Sequence, residues 1–160
     1  GEIDPNKALD PGLIYDATPQ DYVNLLCALK YTHKQISTIT RSTSYNCANP
    51  SFDLNYPSFI AFYNNKTRSV VHKFRRTVTN VGDGAATYRA KVTQPKGSVV
   101  TVSPETLALR YKNEKLSYDV MIKYSKYKKE SISFGDIVWI EEGGTHSVRS
   151  PIVVVPSGIV

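Results

Sequence analysis

The chain has 160 residues, of which 41% are hydrophobic, and a formal net charge of +6. This length suits one ordinary domain, or a small domain with an extension, and the composition excludes a wholly disordered tail. No stretch approaches the roughly 18 consecutive apolar residues that a membrane-spanning helix requires.

The first segment, GEIDPNKALDPGLIYD, contains two prolines and predicts an extended, turn-rich lead. It begins at Gly1, with neither an initiator methionine nor a signal peptide, so we expect the chain to be processed or cut from something longer. Its carboxylates Asp4, Asp10 and Asp16 match no EF-hand spacing, and we interpret them as caps and turn formers rather than a cation site.

A first helix is predicted to begin at Thr18. Thr18, Pro19 and Asp21 stand in the order of a cap, a first-turn proline and a first-turn acid. The apolar side chains that follow share one helical face: Tyr22, Leu25, Leu26 and Leu29.

A second short helix is predicted from the T-x-x-Q pattern of Thr32 and Gln35, with Ile36 and Ile39 on its apolar side. Two helices of about three turns or fewer cannot enclose a core by themselves. Their apolar faces therefore need a partner that residues 1–50 do not contain.

Two cysteines, Cys27 and Cys47, are present, and the three histidines are too scattered to complete a zinc site with them. A disulfide closing a loop of about 20 residues would contribute roughly 3 kcal/mol and requires an oxidising compartment. The sequon Asn65-Lys66-Thr67 is consistent with a secretory route. Together these features predict a secreted, glycosylated protein.

From about residue 56 the spacing of the apolar residues changes from that of a helix to that of a strand. LSYDVMIKY has the clearest alternation, with Leu116, Tyr118 and Val120 among the side chains predicted to point inward. The other predicted strands are SFIAFY, VVHKFRRTVTN, TYRAKV, VVTV, LALRY, DIVWI and SPIVVV.

Seven or eight short strands without intervening helices predict a mainly β, antiparallel sandwich preceded by the short helical segment. Cys27 lies in a predicted helix, so no inter-sheet disulfide of the antibody type is available, and a fibronectin type III-like sandwich fits better. Trp139 is interpreted as a core residue.

The charge is unevenly distributed: residues 1–50 carry four basic and five acidic side chains, and residues 51–160 carry sixteen and nine. The densest basic run, KYSKYKK, interleaves lysines with tyrosines, as in some surfaces that bind nucleic acid or anionic partners. Because no nucleic-acid-binding motif accompanies the run, we interpret it as a solvated strand edge protected by lysines.

No arrangement of residues predicts catalysis. The chain has no G-x-S-x-G elbow, no S-x-x-K with partners and no phosphate-binding glycine loop. His146 is the best candidate for acid–base chemistry, with Glu141 and Glu142 as its only evident partners, and we interpret it as structural. Catalytic, cofactor and metal residues are therefore all predicted to be absent.

Several motifs, in order along the chain, resemble the C-terminal part of plant subtilisin-like serine proteases, the cucumisin-like subtilases. They are IDPNKALDPGLIYD, DYVNLLC, DLNYPSF, TVTNVG at Thr77–Gly82, VTVSPETLAL, NEKLSYDV and HSVRSPIVV. The resemblance covers nearly the whole chain.

The resemblance implies that residues 1–50 end a subtilisin-like catalytic domain and that residues 51–160 form its fibronectin type III-like sandwich. It places the catalytic Asp, His and Ser and the oxyanion-hole Asn upstream of Ile3, so none falls on this chain. It also implies a Cys27–Cys47 disulfide and a location in the plant cell wall or vacuole.

On this interpretation the chain is inactive alone and supports an endopeptidase that cleaves proteins and peptides. Its expected partner is the catalytic portion of the same protease, contacted in part through Tyr22, Leu25 and Leu29, with neither nucleic acid nor membrane as a partner. The alternative is a free binding module whose basic sandwich binds acidic polysaccharide or another protein. Hydrolase activity in this chain alone is the third hypothesis.

Overall fold

The computed structural model describes residues 4–63, 69–125 and 132–156. Within those ranges it has three helices and nine strands. The helices are α1 (Pro5–Leu9), α2 (Pro19–Ala28) and α3 (His33–Thr40). The strands are β1 (Leu13–Ile14), β2 (Phe59–Tyr63), β3 (Ser69–Asn80), β4 (Ala86–Thr93), β5 (Ser98–Ser103), β6 (Thr106–Leu109), β7 (Lys115–Ser125), β8 (Ser133–Glu141) and β9 (Ser147–Pro156).

The chain forms two compact units. One comprises Gly1–Tyr15 with Pro57–Val160, and the other comprises Asp16–Tyr56; we call them the sandwich unit and the helical unit. The first residues of the lead thus belong with the strands. The predicted division at residue 50, which assigns residues 1–50 to the end of a catalytic domain, stays a prediction.

The sandwich unit contains two sheets, as the alternating pattern predicted. In the described residues one sheet has the order β1-β3-β7-β5 and the other β2-β9-β8-β4-β6. The prediction of a mainly β, fibronectin type III-like sandwich is confirmed. One detail differs: β2 pairs in parallel with β9. Two parallel strands must be joined by a long connection, and here that connection contains β3 to β8, almost the whole of the sandwich.

The inward faces of the two sheets form the core. Tyr118, Val120 and Ile122 of β7 are almost fully buried, as predicted from their spacing. Trp139 of β8 is also fully buried, and its ring lies edge-on to Tyr118 with centroids 5.0 Å apart. Such aromatic pairs add roughly 0.5–1.5 kcal/mol to the effect of area burial. The interpretation of Trp139 as a core residue is confirmed.

The lead is more regular than its prolines predicted. Asp4 caps α1 by accepting hydrogen bonds from the backbone N–H groups of Asn6 and Lys7, and Pro5 occupies the first turn. After α1, the short strand β1 pairs antiparallel with the end of β3. The prediction of an extended segment was wrong because the cap and the first-turn proline together start a helix.

The helical unit begins both of its helices as the sequence predicted. Thr18 and Asp21 form a capping box on α2, and Thr32 and Gln35 form another on α3. The Cys27–Cys47 disulfide joins α2 to the segment after α3, with Cα atoms 5.8 Å apart. This separation lies within the usual range for disulfides.

Candidate functional site

His146 lies in the sandwich unit between two carboxylates. Its Nδ1 is 2.6 Å from Oε2 of Glu141, at the end of β8, and its Nε2 is 2.9 Å from Oδ2 of Asp10, in the lead. The His146 and Glu141 side chains are less than a fifth exposed. The sequence identified Glu141 as a partner but missed Asp10, which is 136 positions away along the chain.

Both ring nitrogens of His146 therefore contact carboxylates, which leaves neither free to take a proton from a nucleophile. Hydrogen bonding of its ring to the carboxylates of Asp10 and Glu141 raises the pKa of His146 above the usual histidine value. Close by, burial and the same two carboxylates raise the pKa of Tyr88 to about 12. The arrangement favours the protonated form of His146 and ties the lead to the β8–β9 turn.

Gly12 allows this close approach. Its φ is +73°, and a Cβ there would lie 2.5 Å from the Tyr88 hydroxyl and 2.8 Å from Cγ of His146. Both the backbone conformation and the space favour glycine. A pocket of about 350 Å³ lies beside this cluster, lined by Asn6, Lys7, Asp10, Pro11, Leu13, Thr145, His146, Ser147, Val148 and Arg149.

We predict that the sandwich unit loses stability as pH rises through the folded-state pKa of His146. A histidine whose pKa is raised on folding stabilises the fold fully below its unfolded value of about 6.5, and this contribution disappears as the proton leaves. The Tm should fall by about 5 °C between mildly acidic and mildly alkaline pH, for a loss of about 1 kcal/mol. His146→Gln should flatten this profile; an unchanged slope would contradict the prediction.

Asn80, in the TVTNVG motif, connects the β3–β4 loop to the β6–β7 loop. Its side-chain N–H groups donate to the carbonyls of Gly84 (2.7 Å) and Tyr111 (3.1 Å), and its Oδ1 accepts from the N–H of Gly82 (3.1 Å). Its own backbone pairs with Asn113 and Glu114. Asn80 is fully buried. The motif thus has a structural role, fixing the loops at one end of the sandwich.

Tyr15 anchors the end of the lead in the core. Its hydroxyl lies 2.6 Å from that of Tyr118 and 2.9 Å from Oγ of Ser150. Burial is the main reason that the pKa values of Tyr15 and Tyr118 are raised, so both phenols remain protonated at neutral pH. With Asp10 and β1, Tyr15 gives the lead three separate attachments to the strands.

Two of the predicted contact residues, Tyr22 and Leu25, lie on α2 in the helical unit, and the third, Leu29, is its C-cap. Tyr22 and Leu29 are 47% and 49% exposed, and Leu25 is partly buried. The side chain of α2 that is buried is Val23, which the predicted face did not include. On α3, Ile36 is buried and Ile39 is exposed. The helical unit therefore presents apolar side chains at its surface.

A second apolar surface, on the sandwich unit, was missed. Ile60 of β2 is directly opposite Val153 of β9, which is directly opposite Phe134 of β8. Phe62 extends this group along β2. We call these four residues the apolar row. Ile60, Phe62 and Phe134 are 52%, 48% and 69% exposed. The uninterrupted apolar run SFIAFY was the available signal, because its outward positions are apolar too.

The other sequence predictions concern the disulfide, the glycosylation site, metal sites and membrane-spanning helices. The Cys27–Cys47 disulfide is present, and Asn65 lies outside the described residues. Within the described ranges, no group of three or more His, Cys, Asp or Glu side chains could hold a metal ion. Nor does this part of the chain contain a helix long and apolar enough to cross a bilayer.

Comparison with known proteins gives both a domain family and a set of similar proteins for this chain. Residues 53–154 match the family model of a fibronectin type-III domain. The chain is 58% identical over 159 residues to "Subtilisin-like protease SBT3" of Solanum lycopersicum, covering 98% of this chain and 21% of that protein. It is 42% identical over 164 residues to "Subtilisin-like protease SBT1.5" of Arabidopsis thaliana, covering 96% and 21%. The chain thus spans about a fifth of the length of these curated relatives.

Proposed function

Because the chain belongs to the fibronectin type-III domain family, in the form carried by plant subtilisin-like proteases, we propose that it is the non-catalytic C-terminal part of a secreted serine endopeptidase. Its role is to support the folding, stability and activity of the catalytic part, which hydrolyses proteins and peptides. The partner is the remaining polypeptide of the protease, about four-fifths of the length of such relatives.

The observation that carries this proposal is the apolar row. Residues directly opposite on neighbouring strands have Cβ atoms about 4.5–5.5 Å apart, so Ile60, Val153 and Phe134 form a continuous surface. Contiguous exposed apolar patches on soluble domains mark contact sites. Burying such a patch stabilises a complex by about 25 cal/mol per Å² of apolar area. The row is thus suited to dock onto the catalytic part.

The surface of the helical unit supports the same role. Among its described apolar side chains only Val23 and Ile36 are nearly fully buried, whereas Tyr22, Leu29 and Ile39 are about half exposed. A unit with so little core of its own depends on other contacts for stability. Residues 16–56 therefore have the features of a segment that completes a larger domain.

The disulfide supports the secreted location. Structural disulfides persist in oxidising compartments and are rare in the cytosol. The Cys27–Cys47 bond therefore favours passage of the parent protein through the secretory pathway. The sequon at Asn65 is consistent with that route, and its glycosylation stays a prediction.

The test is to place Phe134→Ser in the full-length precursor that contains this chain. We expect the amount of secreted, active protease to fall several-fold, because a loss of 1–2 kcal/mol at a contact changes the abundance of a marginally stable protein by about that much. Ile140→Ser is the matched control, since Ile140 is an exposed apolar residue on the same face of β8 but outside the row.

Two measurements make the result decisive. The isolated 160-residue chain with Phe134→Ser should melt at the same temperature as the unmodified chain, because the side chain is largely exposed. Secretion and activity of the precursor should depend on Phe134 and not on Ile140. Equal effects of the two substitutions on the precursor would overturn the docking role of the row.

A further inference from the structure

The outer face of the four-stranded sheet carries an excess of positive charge. Its described outward positions on β3, β5 and β7 include four basic residues, Lys73, Arg75, Lys115 and Lys123, and one acidic residue, Asp119. Asp119 pairs with Arg75 at 3.4 Å. Within the described residues, neither Lys73 nor Lys123 has an ion-pair partner. We call this surface the basic face.

The cations on the outer face of the other sheet are arranged differently. Arg89 is 2.7 Å from Glu142, and Arg149 is 2.7 Å from Asp136, so both are neutralised within the chain. Lys91 is a third cation on that face and has no ion-pair partner among the described residues. The larger excess of positive charge still lies on the four-stranded sheet, where four basic outward residues stand against one acidic residue. A local excess of one sign attracts a partner of the opposite sign.

The two unpaired lysines are close enough to act together. Lys73 is opposite Met121 and Lys123 is opposite Val71, so the two lysines are diagonal neighbours on adjacent strands. Diagonal neighbours have Cβ atoms about 7–8 Å apart, within the combined reach of two flexible lysine side chains. One extended polyanion can therefore contact both ammonium groups.

The surrounding side chains indicate which polyanion. Of the hydroxyl residues on this face, Thr101 lies beside the two lysines, directly opposite Met121, and its hydroxyl can both donate to and accept from sugar hydroxyls. The exposed apolar side chains Val71, Val99 and Met121 are the other neighbours of the two lysines. None of the described outward residues of the basic face is aromatic, although single-stranded nucleic acids stack on aromatic rings and interfacial membrane binding uses Trp and Phe. The disulfide also favours an extracellular setting.

We propose that the basic face binds a linear acidic polysaccharide, with Lys73 and Lys123 pairing with successive uronate carboxylates and the neighbouring Thr101 hydroxyl contacting the sugars. This binding is separate from the support of the catalytic part, because the basic face and the apolar row lie on different sheets. It would hold the protein on an acidic extracellular matrix.

The experiment measures binding of the 160-residue chain to immobilised polygalacturonate at low ionic strength, and again at about 0.15 M salt. The double variant Lys73→Glu/Lys123→Glu should bind at least about tenfold more weakly, since two attractive pairs become repulsive. The control Lys34→Glu/Lys91→Glu has the same net charge, places both changes off the basic face and should bind like the unmodified chain.

Lys73→Gln/Lys123→Gln provides a second test without repulsion and should give an intermediate loss. Melting curves should be the same for all variants, because every substituted side chain is exposed. Equal weakening of the two Glu pairs would show attraction by net charge alone and would overturn the proposal. So would equal or tighter binding to single-stranded DNA or to anionic phospholipid vesicles.

Discussion

Asn80→Ala should destabilise the sandwich unit by about 3 kcal/mol or more, the largest effect we expect from a single substitution. The change removes three side-chain hydrogen bonds at a fully buried position and leaves the carbonyls of Gly84 and Tyr111 without these donors. An unsatisfied buried polar group costs about 1–3 kcal/mol, and the space left by the amide adds a cavity cost.

The measurement is urea unfolding followed by fluorescence of Trp139, the single tryptophan of the chain and a fully buried one. Asn6→Ala is the control, since Asn6 is exposed on α1 in the same unit, and it should change stability by no more than about 0.5 kcal/mol. A loss below about 1 kcal/mol for Asn80→Ala would show that the loops are held by other contacts.

Asn80→Asp distinguishes the contribution of the hydrogen bonds to stability from the contribution of the side-chain volume. Aspartate has nearly the same shape, but it places a carboxylate oxygen where the amide N–H groups of Asn80 meet two carbonyl oxygens. At neutral pH this buried charge should be at least as destabilising as alanine. Lowering the pH should recover part of the stability, because a protonated carboxyl can donate one hydrogen bond.

The case of Asn80 shows what sequence could and could not predict. The alternation in β7 and the capping boxes at Thr18 and Thr32 are local, so their periods and spacings were enough to place a strand and two helices. The motif around Asn80 was identifiable only as a resemblance. Its physical role depends on Tyr111, 31 positions away, which no local pattern indicates.

Two of the features that the sequence did not predict have the same cause. Asp10 meets His146 only after the lead has folded onto the sandwich, and the parallel pairing of β2 with β9 joins distant parts of the chain. The apolar row was hidden for a different reason. In SFIAFY both faces of the strand are apolar, so the sequence indicates a buried strand, while the structure leaves Ile60 and Phe62 on an exposed face.

Replacing both cysteines with serine should destabilise the helical unit by about 3 kcal/mol while leaving the sandwich unit folded. The bond joins residues 20 positions apart, and closing a loop of this size restricts the unfolded chain by about that amount. The unit comprises only Asp16–Tyr56, and domains of about 40 residues usually depend on disulfides, metals or partners. We therefore expect α2 and α3 to unfold in the isolated chain.

Two signals report separately on the two units. Circular dichroism at helical wavelengths should decrease, and limited proteolysis should cleave within residues 16–56, while the emission of Trp139 in the sandwich unit should stay unchanged. Reducing the unmodified chain should give the same result, which controls for the serine substitutions. Helices that survive both treatments would show that Val23 and Ile36 stabilise the unit without the disulfide. In the full-length precursor, the proposed contacts with the catalytic part should restore some of the lost order, since a partner that binds the folded state stabilises it.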